Sequence, residues 1–396
     1  MLAIFKPDPT FFMENKILIW IFAGEASGDF YGAKLAKELF ALKGDSVKIA
    51  GMGSHEMRKA GVEIMVDSSE LGIVGLFEIL KHIVTFVKIF LRLRSRAFSE
   101  RPDVIVLIDY PGFNLRFAHE MYSHRLPVVW YISPQVWVWG KRRIPTLAKL
   151  CRKMLVIFPF EKEVYAKTRL DVEFVGHPLI DIMNENKPIV IRDPDRFLLL
   201  PGSRKDEIRR LLPVMLETVL LMKKTKPGLK YTISTPRESI KAMVKEIVED
   251  FRSRNGDGLP ELEIACGDTR RWLYEAATGL AASGTVTVEC AIAGLPIVVI
   301  YRVNPMTFYL GKMVIRKLFR GFMTMVNIIA CKEVYKEYLQ HLNPSELKDE
   351  IIKILPAGSR RQEIEKDMLS VVEMLSAGGG GASRKAADAV LSTIKK

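Results

Sequence analysis

The sequence predicts an α/β protein made of two doubly wound, Rossmann-like domains that face each other across a cleft, with helices at the C-terminal end. Three observations predict it. The chain has 396 residues, more than one hydrophobic core usually holds. Its first half alternates short β-branched runs with helix-like stretches, which implies parallel strands covered by helices. After a polar passage the same alternation starts again. The expected boundaries are an N-terminal domain over 1–185, a C-terminal Rossmann-like domain over 196–345 and a helical tail over 346–396.

Taken in order, Ile17 to Phe22 is the first strand. The run 17–24 resembles a secretory apolar core, but Asp8 and Glu14 precede it and a Gly/Ser turn follows, so a buried strand is the better reading. Val47 to Gly51, Val104 to Ile108, Val128 to Ile132 and Met154 to Phe158 continue the series. The passage from Asp181 to Asp195, with Asn184, Asn186, Pro188 and Pro194, is the linker candidate. The second series is Phe197 to Leu200, Tyr231 to Ser234, Leu262 to Ala265, Gly279 to Ala282 and Ile297 to Tyr301. Beyond Asn343 the composition is helical, broken by Pro356 and by the glycine run 378–381, and Ser383 reads as the N-cap of a last helix.

Composition narrows the partners. Lys and Arg number 59 against 46 Asp and Glu, a formal charge of +13 that favours an anionic partner such as a nucleotide, a phosphorylated sugar, nucleic acid or an anionic lipid surface. The four cysteines lie far apart, which offers neither zinc spacing nor a disulfide framework and suits a reducing cytosol. No apolar run reaches the roughly 20 residues of a membrane span. The six histidines have no metal-ligand spacing, no Asp-x-Asp pair is present to hold a metal against a diphosphate, and there is no Walker A loop.

Four strand-to-helix turns carry unusual residues. Ala23-Gly24-Glu25-Ala26-Ser27-Gly28-Asp29 has glycines for close backbone approach and two carboxylates, and reads equally as a tight turn or a site. Asp109, at the end of an entirely apolar strand and followed by Tyr110-Pro111-Gly112, is either a turn cap or a desolvated general base. Gly202, Ser203 and Arg204 open the second half's first helix, where free N–H groups and a guanidinium suit a phosphate. In Ser283-Gly284-Thr285 a small-residue strand end turns into a helix carrying Glu289 about one turn on. That turn is either a plain N-cap or an anion site with a carboxylate for sugar hydroxyls. Two further stretches, 82–98 and 306–322, mix large apolar residues with Lys and Arg. Each reads as a core helix with a basic edge or as a helix lying on an anionic bilayer.

In this order the motifs closely resemble lipid-A-disaccharide synthases. The resemblance runs from Gly24 to about Gln340. It rests on 24–29, on 72–80 (Gly-Ile-Val-Gly-Leu-Phe-Glu-Ile-Leu), on 109–114 (Asp-Tyr-Pro-Gly-Phe-Asn) and on 133–139 (Ser-Pro-Gln-Val-Trp-Val-Trp). It continues through 158–161, 176–178, 201–204, 283–285 and Tyr301-Arg302. The resemblance implies a GT-B fold and an inverting hexosyltransferase with no cofactor and no metal. It would join a UDP-linked 2,3-diacylglucosamine to the 6-hydroxyl of 2,3-diacylglucosamine 1-phosphate, on the cytoplasmic face of the inner membrane. Carried over by position, Gly202, Ser203, Arg204, Ser283, Gly284, Thr285, Glu289 and Asn327 would hold the nucleotide sugar. Asp109 would be the base, with Glu25 in reserve. The family's Asn-Leu-Leu-Ala-Gly-Arg stretch reads Asn327-Ile328-Ile329-Ala330-Cys331-Lys332 here, and a lysine does not reproduce a bidentate arginine contact. Ser54 and Gly112 also depart from the family pattern. The alternatives are another GT-B enzyme acting on UDP-N-acetylglucosamine, transferase or epimerase, and a non-catalytic basic protein binding anionic lipid or nucleic acid. The last leaves the ordered strand-end motifs unexplained. Acyl-chain length and oligomeric state stay open.

Overall fold

The structure is a computed structural model that describes residues 16–68, 79–137, 140–185, 187–302, 321–379 and 381–394. Contacts divide the chain into two compact units. One comprises the described residues up to Pro178 together with those from Gly379 onward, and the other Leu179–Gly378.

The first unit holds a seven-stranded sheet: β1 (Ile17–Ala23), β2 (Val47–Gly53), β3 (Glu63–Asp67), β4 (Val104–Ile108), β5 (Val128–Tyr131), β6 (Lys153–Val156) and β7 (Asp171–Phe174), in the order β3-β2-β1-β4-β5-β6-β7. Every neighbouring pair is parallel. β1 and β4 lie at its centre and are buried along almost their whole length, because helices cover both faces; hence their unbroken apolar sequence. The helix Ile79–Glu100 turns Phe86, Ile89, Phe90, Leu93 and Ala97 to the core beside Phe113 and Phe117. The last helix, Ala382–Ser392, belongs to this unit and pairs Arg384 with Glu38 of the helix Ala26–Lys43 at 3.6 Å.

The second unit holds a six-stranded parallel sheet: β8 (Asp193–Leu200), β9 (Lys230–Thr235), β10 (Leu262–Cys266), β11 (Ala276–Ala282), β12 (Ile297–Tyr301) and β13 (Glu337–Leu339), ordered β10-β9-β8-β11-β12-β13. The helix Pro178–Glu185 and β8 occupy the two ends of the passage read as a linker. Arg192, between them, donates to the carbonyls of Ala276 (2.5 Å) and Ala293 (2.7 Å) and ties that segment to the sheet. The helices Pro344–Ile354 and Arg361–Leu375 pack in this unit, where Arg361 donates to the carbonyl of Ala277 at 2.6 Å.

Three strands escaped the sequence reading: β3, β7 and β13. All three are sheet edges. These edge strands are half covered and carry polar residues, as in Glu-Ile-Met-Val-Asp and Asp-Val-Glu-Phe, so no apolar run announces them, whereas the fourth edge, β10, was read from its sequence. Of the quoted motif stretches, 72–78 and 138–139 lie outside the described residues. So does 303–320, which contains nearly all of the second apolar-basic segment. Among the described residues no helix is long and apolar enough to cross a membrane.

Candidate active site

Each sheet has one topological switch point, a pair of adjacent strands whose following connections leave in opposite directions and open a crevice at the carboxyl ends. In the first sheet the pair is β1 and β4, with Ala23 opposite Ile108. In the second it is β8 and β11, with Leu200 opposite Ala281. The four unusual turns of the sequence are the four turns that follow these strands.

At the first switch point Asp109 and Tyr110 are both left-handed, with φ of +42° and +46°. Two successive non-glycine residues in that region cost roughly 1–2 kcal/mol each. Tyr110 folds over Gly24, where a Cβ would run into its ring. The glycine after β1 is therefore there to let the two turns meet. Burial pushes the Asp109 carboxyl up to about 6, the charge of Glu25 adds to the rise, and the backbone N–H of Tyr110 opposes it. Glu25 itself is exposed at the start of the helix Ala26–Lys43. The other carboxylate of this turn has a different task. Asp29 is buried and accepts the backbone N–H groups of Ser54 (2.6 Å), Glu56 (2.8 Å) and Met57 (3.3 Å), so it anchors the start of the helix His55–Lys59.

A third carboxylate was not singled out from sequence. Glu161 is buried, and its two oxygens accept from Trp137 Nε1 (3.3 Å) and from the backbone N–H of Phe158 (3.1 Å). Burial lifts its carboxyl to about 7 against these hydrogen bonds, and the charge of Asp109 adds to the rise. Its signal was its place in the 158–161 motif. His177 is buried against Tyr31 and Phe158, and burial holds its ring down to about 3, so it packs as a neutral group.

At the second switch point the two helix starts differ. Gly202 has φ of +105°, and a Cβ there would collide with the Glu207 carboxylate. Glu207 folds back onto the backbone N–H groups of Ser203 and Arg204, so the start of the helix Lys205–Thr225 is capped from within. Ser203 and the Arg204 side chain are exposed. The start of the helix Val286–Ala293 is the open one. Thr285 gives no side-chain cap, open space surrounds the Cα of Gly284, and Gly284 and Thr285 are exposed. Ser283 closes the strand by donating its N–H to Ile300 at 3.2 Å. Burial raises the Glu289 carboxyl while Arg270, a second residue the sequence reading passed over, favours its charged form.

The comparisons with known proteins decide the family. A family model described as lipid-A-disaccharide synthetase matches residues 19–390. The lipid-A-disaccharide synthase of Trichlorobacter lovleyi is 35% identical over 390 residues, covering 96% of this chain and 98% of the relative. That of Coxiella burnetii is 37% identical over 364 residues, covering 89% and 92%. The chain belongs to the lipid-A-disaccharide synthase family. Its members are glycosyltransferases of lipid A biosynthesis. In fold, the chain is similar to the UDP-GlcNAc 2-epimerase of Neisseria meningitidis, with a TM-score of 0.61, 13% identity and coverage of 95% and 100%. It is also similar to MurG of Acinetobacter baumannii, with a TM-score of 0.55, 14% identity and coverage of 95% and 99%. These likenesses show the GT-B architecture of two parallel-sheet units. The sequence relatives set aside the epimerase and non-catalytic alternatives.

The stretch Asn327 to Lys332 has a particular geometry. Asn327 is fully buried. Its Nδ2 donates to the carbonyl of Tyr335 (2.8 Å) and to Glu337 Oε1 (2.7 Å), and its Oδ1 accepts from the N–H groups of Val334 and Tyr335, both at 2.9 Å. All four of its amide positions are thus used inside the chain, and it holds the loop that follows its own helix, Met325–Ala330. Cys331 has φ of +53° at the end of that helix. Lys332 pairs with Asp367 at 2.5 Å.

Proposed function

We propose that the enzyme transfers 2,3-diacylglucosamine from UDP to the 6-hydroxyl of 2,3-diacylglucosamine 1-phosphate, with inversion. Asp109 removes the hydroxyl proton as the oxygen attacks the anomeric carbon and UDP departs. The observation that supports this most is the carboxylate held near 6 in a strained turn at the first switch point, because such a group is ionised at neutral pH yet still basic. Departing UDP is assigned to the second switch point. There the open helix start at Ser283, Gly284 and Thr285 and the Arg204 guanidinium stabilise the diphosphate, and Glu289 takes ribose hydroxyls. Gly202 and Ser203 shape the neighbouring turn, and Asn327 acts as a positioning residue.

The apolar substrates suit a bilayer surface. The helix Ile79–Glu100 exposes Val84, Val87 and Leu91 at helical spacing beside Lys88 and Arg92, a face fitted to an anionic membrane such as the cytoplasmic leaflet of the inner membrane.

The test is to incubate the protein with both acylated sugars and measure UDP and disaccharide phosphate. Formation of both supports the reading. Folded protein that forms neither overturns it, and UDP formed without disaccharide would mean that water, not the second sugar, is the acceptor.

A further inference from the structure

The strain at Asp109 needs a cause, and a single side chain supplies it. Asn114, in the first turns of the helix Pro111–Ser123, is fully buried. Its Nδ2 donates to the carbonyl of Ile108 at 3.2 Å and to the carbonyl of Asp109 at 2.8 Å. These carbonyls belong to the two peptide units that flank Asp109. The orientations of those two units are the φ and ψ of Asp109, so one amide fixes both. The N–H of Asp109 is held as well, by the carbonyl of Tyr131 at 3.2 Å.

This is the reverse of ordinary helix capping, in which a side-chain oxygen accepts from the helix's own N–H groups. Here the side chain donates backwards into the strand end. The arrangement also leaves Asn114 Oδ1 buried with no hydrogen-bond partner. Packing alone would favour leucine at such a position, since an unpartnered buried acceptor destabilises the fold. A local cost kept beside a strained residue is a pattern of functional sites.

We infer that Asn114 is the positioning residue of this enzyme: by clamping both peptide units around Asp109, it aims the carboxylate at the acceptor hydroxyl. Gly24 is its counterpart in the turn after β1, because only a residue without Cβ lets Tyr110 lie where the clamp puts it. The inference rests on the reading of Asp109 as the base. The groups facing Asp109 are Glu25 from the turn after β1, Glu161 from the segment after β6, and Tyr110 beside it.

The experiment uses the full chain with Asn114→Leu, which keeps the branched outline and removes the donor, and with Gly24→Ala, which disturbs the same turn without touching Asn114. Two readouts are taken. In the disaccharide assay kcat falls about 10–100-fold with the KM for the UDP-sugar unchanged, the size of loss that a misaimed catalytic group produces. In the free protein, carboxyl 13C NMR, with Asp109→Asn to assign the signal, follows the Asp109 titration. It drops from near 6 toward the ordinary value of about 4 as the side chain turns to solvent. Thermal melting accompanies both, so that a variant that fails to fold is recognised and the other one decides. If both variants fold and keep kcat within threefold and the titration near 6, the inference is overturned. If the unaltered enzyme makes no disaccharide, the proposed function fails. The NMR titration still decides whether Asn114 sets the position of Asp109.

Discussion

The two switch points use the same sheet geometry for opposite electrostatic ends. The first is closed and acidic. Asp109 and Glu161 are drawn out of water, Glu25 adds a like charge, and carboxyls are held near 6 and 7. The second is open, with an uncapped helix start at 283–286 and an exposed guanidinium on Arg204. A proton acceptor gains basicity from burial, whereas an anion site needs N–H groups and positive charge facing solvent. The same βα turn serves either purpose, depending on whether a side chain such as Tyr110 covers it.

The comparison breaks most visibly at Asp109. Asp109→Asn leaves shape and burial nearly intact and removes the proposed base, so turnover is expected to fall by roughly 10²–10⁴ while UDP binding, measured by calorimetry, stays unchanged. If Asp109→Asn keeps near-normal turnover while Glu25→Gln abolishes it, the base is Glu25. Arg204→Ala tests the other side. Losing a charge-assisted contact to a diphosphate weakens UDP binding by roughly 10–100-fold and flattens its salt dependence. The acid limb of the rate profile stays where it was, and a shift of that limb would show that the two sites are not separable in this way.

Much of this division was legible beforehand. The central strands are fully buried and therefore spelled in unbroken apolar residues, as in Val104 to Ile108. The edge strands β3, β7 and β13 were not legible, because half-covered strands tolerate charge. At the sites, the turns stood out by glycine and by acid at a strand end. What each carboxylate does was beyond the sequence. Glu25 and Asp29 lie four residues apart in one turn, yet Asp29 disappears into the start of a helix from another segment while Glu25 stays exposed. Glu161 acquires its character only from burial in the folded unit, where Trp137, 24 residues earlier in the chain, donates to it. Glu207, likewise, takes up the backbone N–H groups of Ser203 and Arg204 and leaves the Arg204 side chain exposed.

Glu25→Gln sharpens the first switch point further. With Asp109 as the proposed base, the rate is expected to rise as it ionises, through about pH 6, and burial is the larger cause of that value. The charge of Glu25 is the smaller one. Removing it makes ionisation easier, so the acid limb moves to lower pH by a fraction of a unit and the variant is relatively more active near pH 5. Glu161 is coupled to Asp109 by charge and is raised mainly by its own burial, so the two carboxyls titrate as an interacting pair. A pH profile that moves upward, or does not move at all, removes Glu25 from the acidic group.

The smallest effect concerns the second unit, where this chain departs from its family. Cys331 occupies a left-handed helix end, φ +53°, that a glycine adopts without steric cost. Its neighbour Lys332 is held by Asp367, and the Cys331 thiol itself makes one weak hydrogen bond, to the carbonyl of Ile328 at 3.6 Å. Cys331→Gly removes the clash of Cβ with the backbone and restores some freedom to the unfolded chain. The first term exceeds the second at positive φ, for a net gain of about 0.5–1 kcal/mol. In a unit of this size that corresponds to a rise of about 1–4 °C in the melting transition. A fall in the transition would mean that the cysteine makes a stabilising contact outweighing its strain. An unchanged UDP affinity alongside the gain would place the strain in the scaffold of the second switch point and outside its anion-binding surface.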